Sequence, residues 1–173
     1  SRRARAARVA GGKGAGLARL LKSGFPVPAG FVITTAAFRD PLSQAAARSG
    51  SPDLDPDLDH APAVLEAARR ACLDWTMPDR LRRSVLGAYR RLGAGPVAVR
   101  SSLVGEDSGA ASFAGQLDTV LGVDGEPALV DAVLRVLASA YGDRLWAYMR
   151  KTPASTPPSS PLPALSLAVV VQS

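Results

Sequence analysis

Two glycine-rich stretches carry the residues whose types and spacing suit a bound phosphate. Near the start of the chain, Gly11, Gly12, Lys13 and Gly14 precede a helical pattern of leucines. Glycines that open a helix leave free backbone amides at its positive end, and the lysine adds a full charge there. This favours an anion site, although a flexible lead-in with an exposed lysine is the alternative. It is not a Walker A loop, because no hydroxyl residue follows the lysine to hold magnesium.

The second stretch covers residues 97–123 and joins two predicted strands. A short apolar strand is expected to end at Arg100, where the chain turns polar, and a charge in that position more often faces a cleft than a core. Between residues 105 and 115 nearly all residues are Gly, Ala, Ser, Glu or Asp, so backbone amides can approach a ligand closely. Residues 117–123 then alternate as a second strand. An ordinary surface hairpin with a Ser/Gly tip is the alternative.

The remaining elements follow from apolar periodicity and from helix signals. The spacing predicts helices over 12–23, ending at Gly24, and over 36–40, 63–75 and 78–92, with Thr76 as the cap of the last. Further helices are expected after residue 125 and over 143–151, and strands over 31–33 and 165–172. Flexible loops are expected near 48–62 and 152–163, where proline, serine and aspartate accumulate.

Three blocks of this sequence resemble the amino-terminal nucleotide-binding domain shared by phosphoenolpyruvate synthase, pyruvate phosphate dikinase and rifampin phosphotransferase. The blocks are GGKGAGLARLLKSGFPVPAGFVITTAAFRD, VAVRSSLVGEDSGAASFAGQLDTVLGV and LASAYGDRLWAYMRK. The resemblance implies an α+β fold, the first part of an ATP-grasp domain, with a mixed β-sheet and packed helices. It also implies that residues 1–173 form the first portion of a domain that continues beyond Ser173.

The resemblance assigns individual positions to an ATP site. Lys13 and Arg100 match the residues that contact the ATP phosphates, and two fixed cations would offset charge that builds up on a transferred phosphate. The positions expected to line the rest of the nucleotide are Gly115, Thr119, Val120 and Gln172, the last on the adenine side. Glu106 and Asp107 match an acidic pair of the family, with metal, water or loop shape all open as roles.

The resemblance also implies partners for these 173 residues. In the family, ATP phosphorylates a histidine on a separate swivelling domain, which carries the phosphoryl group to an acceptor such as pyruvate or rifampin. Neither the histidine domain nor the acceptor domain is in this sequence, and the ligands of Mg²⁺ are expected outside it. We therefore expect a fragment of a phosphotransferase that does not turn over alone. The alternative is a non-catalytic nucleotide-binding or interaction module with the same fold.

Composition excludes several other classes of protein. The net charge is +6, but the arginines are spread over helix faces with few aromatic residues between them, so no nucleic acid is expected. No apolar run approaches the roughly 20 residues of a membrane span. The single cysteine, Cys72, excludes a disulfide framework and fits the cytoplasm. Alternating aspartates and His60 within 53–60 suggest a calcium loop, but prolines interrupt it and a solvated acidic turn is preferred.

Overall fold

The computed structural model describes residues 2–49, 61–104, 117–143, 147 and 165–173. Its helices are α1 (Arg2–Lys22), α2 (Arg39–Ser49), α3 (Ala61–Leu73), α4 (Asp79–Arg91) and α5 (Glu126–Ala138), with short 3-10 turns at Thr35–Phe38 and Ser139–Tyr141. Its strands are β1 (Gly30–Ile33), β2 (Val97–Leu103), β3 (Thr119–Val123) and β4 (Leu167–Gln172). Helices and strands share one core, which confirms the α+β class.

Several expectations fall partly or wholly beyond these ranges. The acidic turn with His60 and the loop over 152–163 lie outside the described residues, as does most of the helix expected over 143–151. Of the helices in the described part, none is long and apolar enough to cross a membrane.

The four strands form one sheet in the order β1-β4-β2-β3, with each described pairing antiparallel. We expected a mixed sheet. A continuous apolar run such as β4 is typical of parallel strands that are covered on both faces. Here β4 is buried along its whole length because it lies inside the sheet and helices cover both faces. The apolar run therefore indicates a covered strand, but it does not indicate whether the neighbouring strands are parallel or antiparallel.

Each face of the sheet is covered by different helices. Helix α1 packs on the face that carries Val32 and Val170, where Gly14 comes close to both side chains. The other face carries Val99 and Val169, which join the main hydrophobic core with α3 and α5. We refer to the first of these faces as the α1 face. Alternation along β2 and β4 therefore decides which side chains can reach a site beside α1.

Helix α1 is interrupted at Gly11, where φ is 68° and ψ is 178°. The chain before Gly11 forms one helical segment, and residues 12–22 form a second, in agreement with the helix expected over 12–23. Gly24 follows with φ 79°, which confirms it as the stop signal. The segment that starts at Gly12 thus has its own amino end inside the domain, and not at the chain terminus.

Hydroxyl groups from two other elements satisfy three of the backbone groups at the interruption: the Gly14 N–H and the carbonyls of Ala10 and Arg8. In an unbroken helix the N–H of Gly14 would donate to the carbonyl of Ala10. Instead the Ser102 hydroxyl lies between them: it accepts from the Gly14 N–H at 3.1 Å and donates to the Ala10 carbonyl at 2.7 Å. The Thr35 hydroxyl donates to the Arg8 carbonyl at 2.9 Å. These bonds compensate for the missing helical turn.

Strand β2 is longer than the sequence predicted. We expected it to end at Arg100, but pairing with β4 continues to Leu103, opposite Leu167. Ser101 and Ser102 are therefore strand residues, and both are buried. Polar side chains do not end a strand whose backbone still has a neighbour to pair with.

The pairing of β2 with β3 contains a bulge that the alternating pattern did not predict. Val97 lies opposite Val123 and Val99 opposite Val120, so two residues of β3 face one of β2. One of the two, Gly122, has φ 65°, a conformation that favours glycine. Val120 and Val123 consequently both pack on the core side, whereas strict alternation put them on opposite faces.

Two helix starts also differ from expectation. Pro41 does not end a helix but lies in the first turn of α2, where its missing N–H costs no hydrogen bond. Helix α4 begins at Asp79 with Pro78 at the cap position, and no side-chain hydrogen bond caps it. Thr76 is therefore not its cap.

We predict that Gly11→Ala destabilises the fold more than Gly24→Ala. Both glycines have positive φ, so either alanine incurs a backbone cost on the order of 1–3 kcal/mol, and Gly11, with ψ 178°, lies in a region that is essentially restricted to glycine. Only at Gly11 would the added Cβ also collide with the Ser102 backbone and hydroxyl, since a Cβ at Gly24 meets nothing within 4 Å. Urea denaturation of the two variants measures the difference. Equal losses would show that α1 and β2 do not approach as closely as described.

We also predict that the free energy of unfolding falls with pH through Cys72. Burial raises the pKa of this thiol from 9.0 to about 12. The folded thiol therefore keeps its proton where the unfolded thiol has lost it, so this stabilisation is full below pH 9 and is lost as the pH rises toward 12. Compared with Cys72→Ala, the protein should lose up to about 1.4 kcal/mol per pH unit in that window. Parallel pH profiles in urea denaturation would contradict the prediction.

Candidate functional site

Arg100 lies in the middle of β2 and not at its end. Because side chains alternate between the two faces of a strand, its side chain belongs to the α1 face, beside Val170. It is opposite Val170 of β4 on one side and Thr119 of β3 on the other. Its side chain is half-buried, and its Nε atom is buried without a hydrogen-bond partner in the described part of the structure. A buried guanidinium N–H that is left unsatisfied costs about 1–3 kcal/mol. An oxygen ligand at this position would remove that cost.

Lys13 lies in the first turn of the second α1 segment, between two buried glycines. Its neighbour Gly14 is hydrogen-bonded to Ser102, which is two residues along β2 from Arg100. Two residues on one face of a strand are about 7 Å apart. The structure therefore brings the Gly11 to Gly14 turn and Arg100 to the same part of the α1 face, as the anion-site hypothesis requires.

The amino end of the second α1 segment adds partial positive charge to this region. Its first turn contains no acidic residue, and its first backbone N–H groups have no carbonyl one turn earlier within the same segment, although the Gly14 N–H donates to Ser102. Together with Lys13 and Arg100, these groups make the region electropositive. The arrangement is suited to phosphate oxygens, which accept several charge-assisted hydrogen bonds at once.

Gln172 and Thr119 lie on the same face as Arg100. Gln172 is buried and is opposite Ala98 of β2 and Gly30 of β1. A Cβ at position 30 would come within 2.9 Å of the Gln172 Cγ, so the glycine leaves room for this side chain. Thr119 is exposed beside Arg100, at the open edge of the described sheet.

The other expected site residues are placed differently or not described. The Val120 side chain packs against the core, so only its backbone is available to a ligand on the α1 face. Gly115, Glu106 and Asp107 lie outside the described residues. Within the described ranges, no group of three or more His, Cys, Asp or Glu side chains could hold a metal ion.

Sequence reasoning missed the role of Ser102. We expected a polar residue after the end of a strand, whereas its hydroxyl is wholly buried and bonded to α1 across more than 80 residues of sequence. A serine among apolar strand residues is a weak signal for such a contact, because its partners belong to a distant segment. The shifted pKa values of Arg90 and Glu126 do not point to the α1 face either. Arg90 holds the pKa of Glu126 below its usual range, and this pair joins α4 to α5 on the far side of the sheet from α1.

Comparison with known proteins identifies relatives over most of the chain. This chain is 37% identical over 158 residues to the phosphoenolpyruvate synthase of Aeropyrum pernix, and the match covers 81% of this chain and 18% of that protein. It is 39% identical over 156 residues to the rifampicin phosphotransferase of Streptomyces sviceus, covering 83% and 17%. The phosphoenolpyruvate synthase of Escherichia coli is 34% identical over 151 residues, covering 80% and 19%.

The chain spans less than a fifth of the length of these relatives. The family described as pyruvate phosphate dikinase, AMP/ATP-binding domain, matches residues 7–173. Since that match covers nearly the whole chain, this protein belongs to the pyruvate phosphate dikinase AMP/ATP-binding domain family, as the three sequence blocks indicated.

Proposed function

We propose that this chain binds ATP on the α1 face of its sheet, with Lys13 and Arg100 holding the phosphates. The observation that carries the proposal is the contact of the Gly11 to Gly14 turn with Ser102, two residues from Arg100 on β2. That contact joins two cationic elements that are far apart in sequence. Membership of an AMP/ATP-binding family supports the nucleotide as the ligand.

The proposed chemistry of Lys13 and Arg100 is electrostatic. Both side chains are fixed cations on packed elements, so they need little reorganisation as negative charge shifts between phosphates. The unsatisfied Arg100 Nε would donate to a phosphate oxygen, and backbone amides at the start of the second α1 segment would add further bonds. Positioning and charge stabilisation are what a phosphoryl transfer requires of the protein.

The remaining assignments concern the rest of the nucleotide. We place Gln172 on the adenine side and Thr119 beside the phosphates or ribose, because both share the α1 face with Arg100. Val120 would contribute backbone groups only. The proposal that Gly115 also lines the nucleotide is based on the sequence resemblance alone, because this residue lies outside the described ranges.

We further propose that the chain is the ATP-binding part of a larger cytoplasmic phosphotransferase. The relatives are a phosphoenolpyruvate synthase and a rifampicin phosphotransferase of more than five times the matched length. In that arrangement a histidine on a separate domain receives the phosphoryl group and passes it to pyruvate or to an antibiotic such as rifampin. Mg²⁺, bound by residues outside those described, would neutralise phosphate charge.

Titration of the protein with ATP and magnesium tests the phosphate assignment. Lys13→Ala and Arg100→Ala should each weaken binding by about 1.5–3 kcal/mol, the range for hydrogen bonds to charged groups. Lys22→Ala and Arg83→Ala remove the same charges from exposed sites on α1 and α4 and serve as matched controls. They should change binding little, since exposed charges act only through screened long-range fields. Calorimetry gives all five affinities.

Two results would contradict the assignment. If ATP bound with equal affinity to the protein and to both site variants, the nucleotide would lie elsewhere. If the control variants lost as much affinity as the site variants, the effect would come from net charge rather than from the proposed contacts.

A further inference from the structure

The Ser102 hydroxyl occupies the gap that Gly11 opens in α1. It replaces a direct bond between Gly14 and Ala10 with two bonds that run through a side chain of β2. Ser102 is wholly buried, so water cannot take over either bond without entering the core. A removed hydroxyl would leave one N–H and one carbonyl without partners at the turn that contains Lys13.

The same hydroxyl fixes the distance between the two proposed cationic elements. Ser102 and Arg100 belong to one strand that is paired on both sides at Arg100, so their separation along the strand cannot vary. Gly14 and Lys13 belong to one helical turn. The bond from Gly14 to Ser102 therefore sets the placement of the Lys13 turn relative to Arg100.

Gly11 allows this contact only because it lacks a side chain. A Cβ there would overlap the Ser102 carbonyl and hydroxyl. The glycine that interrupts α1 is therefore also the residue that lets β2 come close enough for the Ser102 hydroxyl to enter the gap. The Thr35 hydroxyl donates to the Arg8 carbonyl, three residues before Gly11.

We propose that Ser102 is a positioning residue for nucleotide phosphates: its hydroxyl holds the Gly11 to Gly14 turn so that Lys13 and the adjoining amides act together with Arg100. This inference rests on the proposed ATP function and deepens it. The ligand group concerned is a polyphosphate rather than the base or the ribose. Ser102 does not touch the nucleotide and acts through Gly14.

The test compares ATP and adenosine as probes for the protein and for Ser102→Ala. Loss of the hydroxyl should weaken ATP binding about tenfold, the change that corresponds to one ordinary hydrogen bond. Adenosine binding should not change, because adenosine has no phosphates. Tyr89→Phe is the matched control: its buried hydroxyl likewise accepts a backbone N–H, from Gly125, and donates to backbone carbonyls, but it lies on α4. Its ATP affinity should equal that of the parent protein.

A double variant separates positioning from general destabilisation. If Ser102 acts through the lysine turn, Ser102→Ala should cost much less than tenfold in ATP affinity once Lys13→Ala is already present. Independent, additive losses would overturn the inference. So would equal losses for ATP and adenosine, because a loosened fold affects both.

The positioning role of Ser102 and the ATP site itself can fail independently. Normal ATP binding by Ser102→Ala, alongside weakened binding by Lys13→Ala, would overturn the inference and leave the ATP site intact. Absence of ATP binding by the parent protein would overturn both. Should Ser102→Ala fail to fold, Ser102→Cys fills the same space with a much weaker donor and acceptor. Parent-like ATP affinity of a folded Ser102→Cys protein would then overturn the inference.

Discussion

The interruption of α1 at Gly11 is the constraint on which the proposed site depends. A continuous helix would satisfy every amide from Gly12 onward internally and would present only side chains to a ligand. The interruption creates a helix amino end inside the domain. The Ser102 hydroxyl makes this end stable, because it satisfies one donor and one acceptor at the same time. The placement of α1 on the sheet is thus coupled to the conformation of a single glycine.

The position of β4 explains how distant residues meet. This last described strand lies between β1 and β2, and its side chains are buried on both faces. It aligns Gln172 with Ala98 and Val170 with Arg100, which brings the end of the sequence beside its middle. Without β4, the strand that carries Arg100 would have no neighbour on the side of β1. The α1 face is therefore assembled from three separate parts of the chain.

The sequence predicted those features that are encoded locally. The apolar stripe of α5, the continuous apolar run of β4 and the glycine stop at Gly24 were all recognisable, because each follows from the residues of one segment. The sequence blocks also identified the family correctly. The start of a helix at Gly12 was recognised from its glycines.

Most of the wrong expectations concern features that depend on partners far away in sequence. The antiparallel direction of the sheet, the length of β2 beyond Arg100 and the bulge at Gly122 are set by pairing between strands, which apolar periodicity does not encode. The role of Ser102 was missed for the same reason. The assignment of Lys13 and Arg100 to phosphates came from resemblance and local charge, and the structure adds that their elements are in contact through Ser102.

The central claim is that nucleotide phosphates bind on the α1 face, where the glycine turn meets β2. Backbone amide chemical shifts of the isotope-labelled protein, followed during titration with ATP, test it most directly. We expect the largest changes at Gly12, Lys13 and Gly14 and around Arg100, while Gly87 on α4 stays unchanged. Saturable changes centred on α4 or α5, with the glycine turn unaffected, would contradict it.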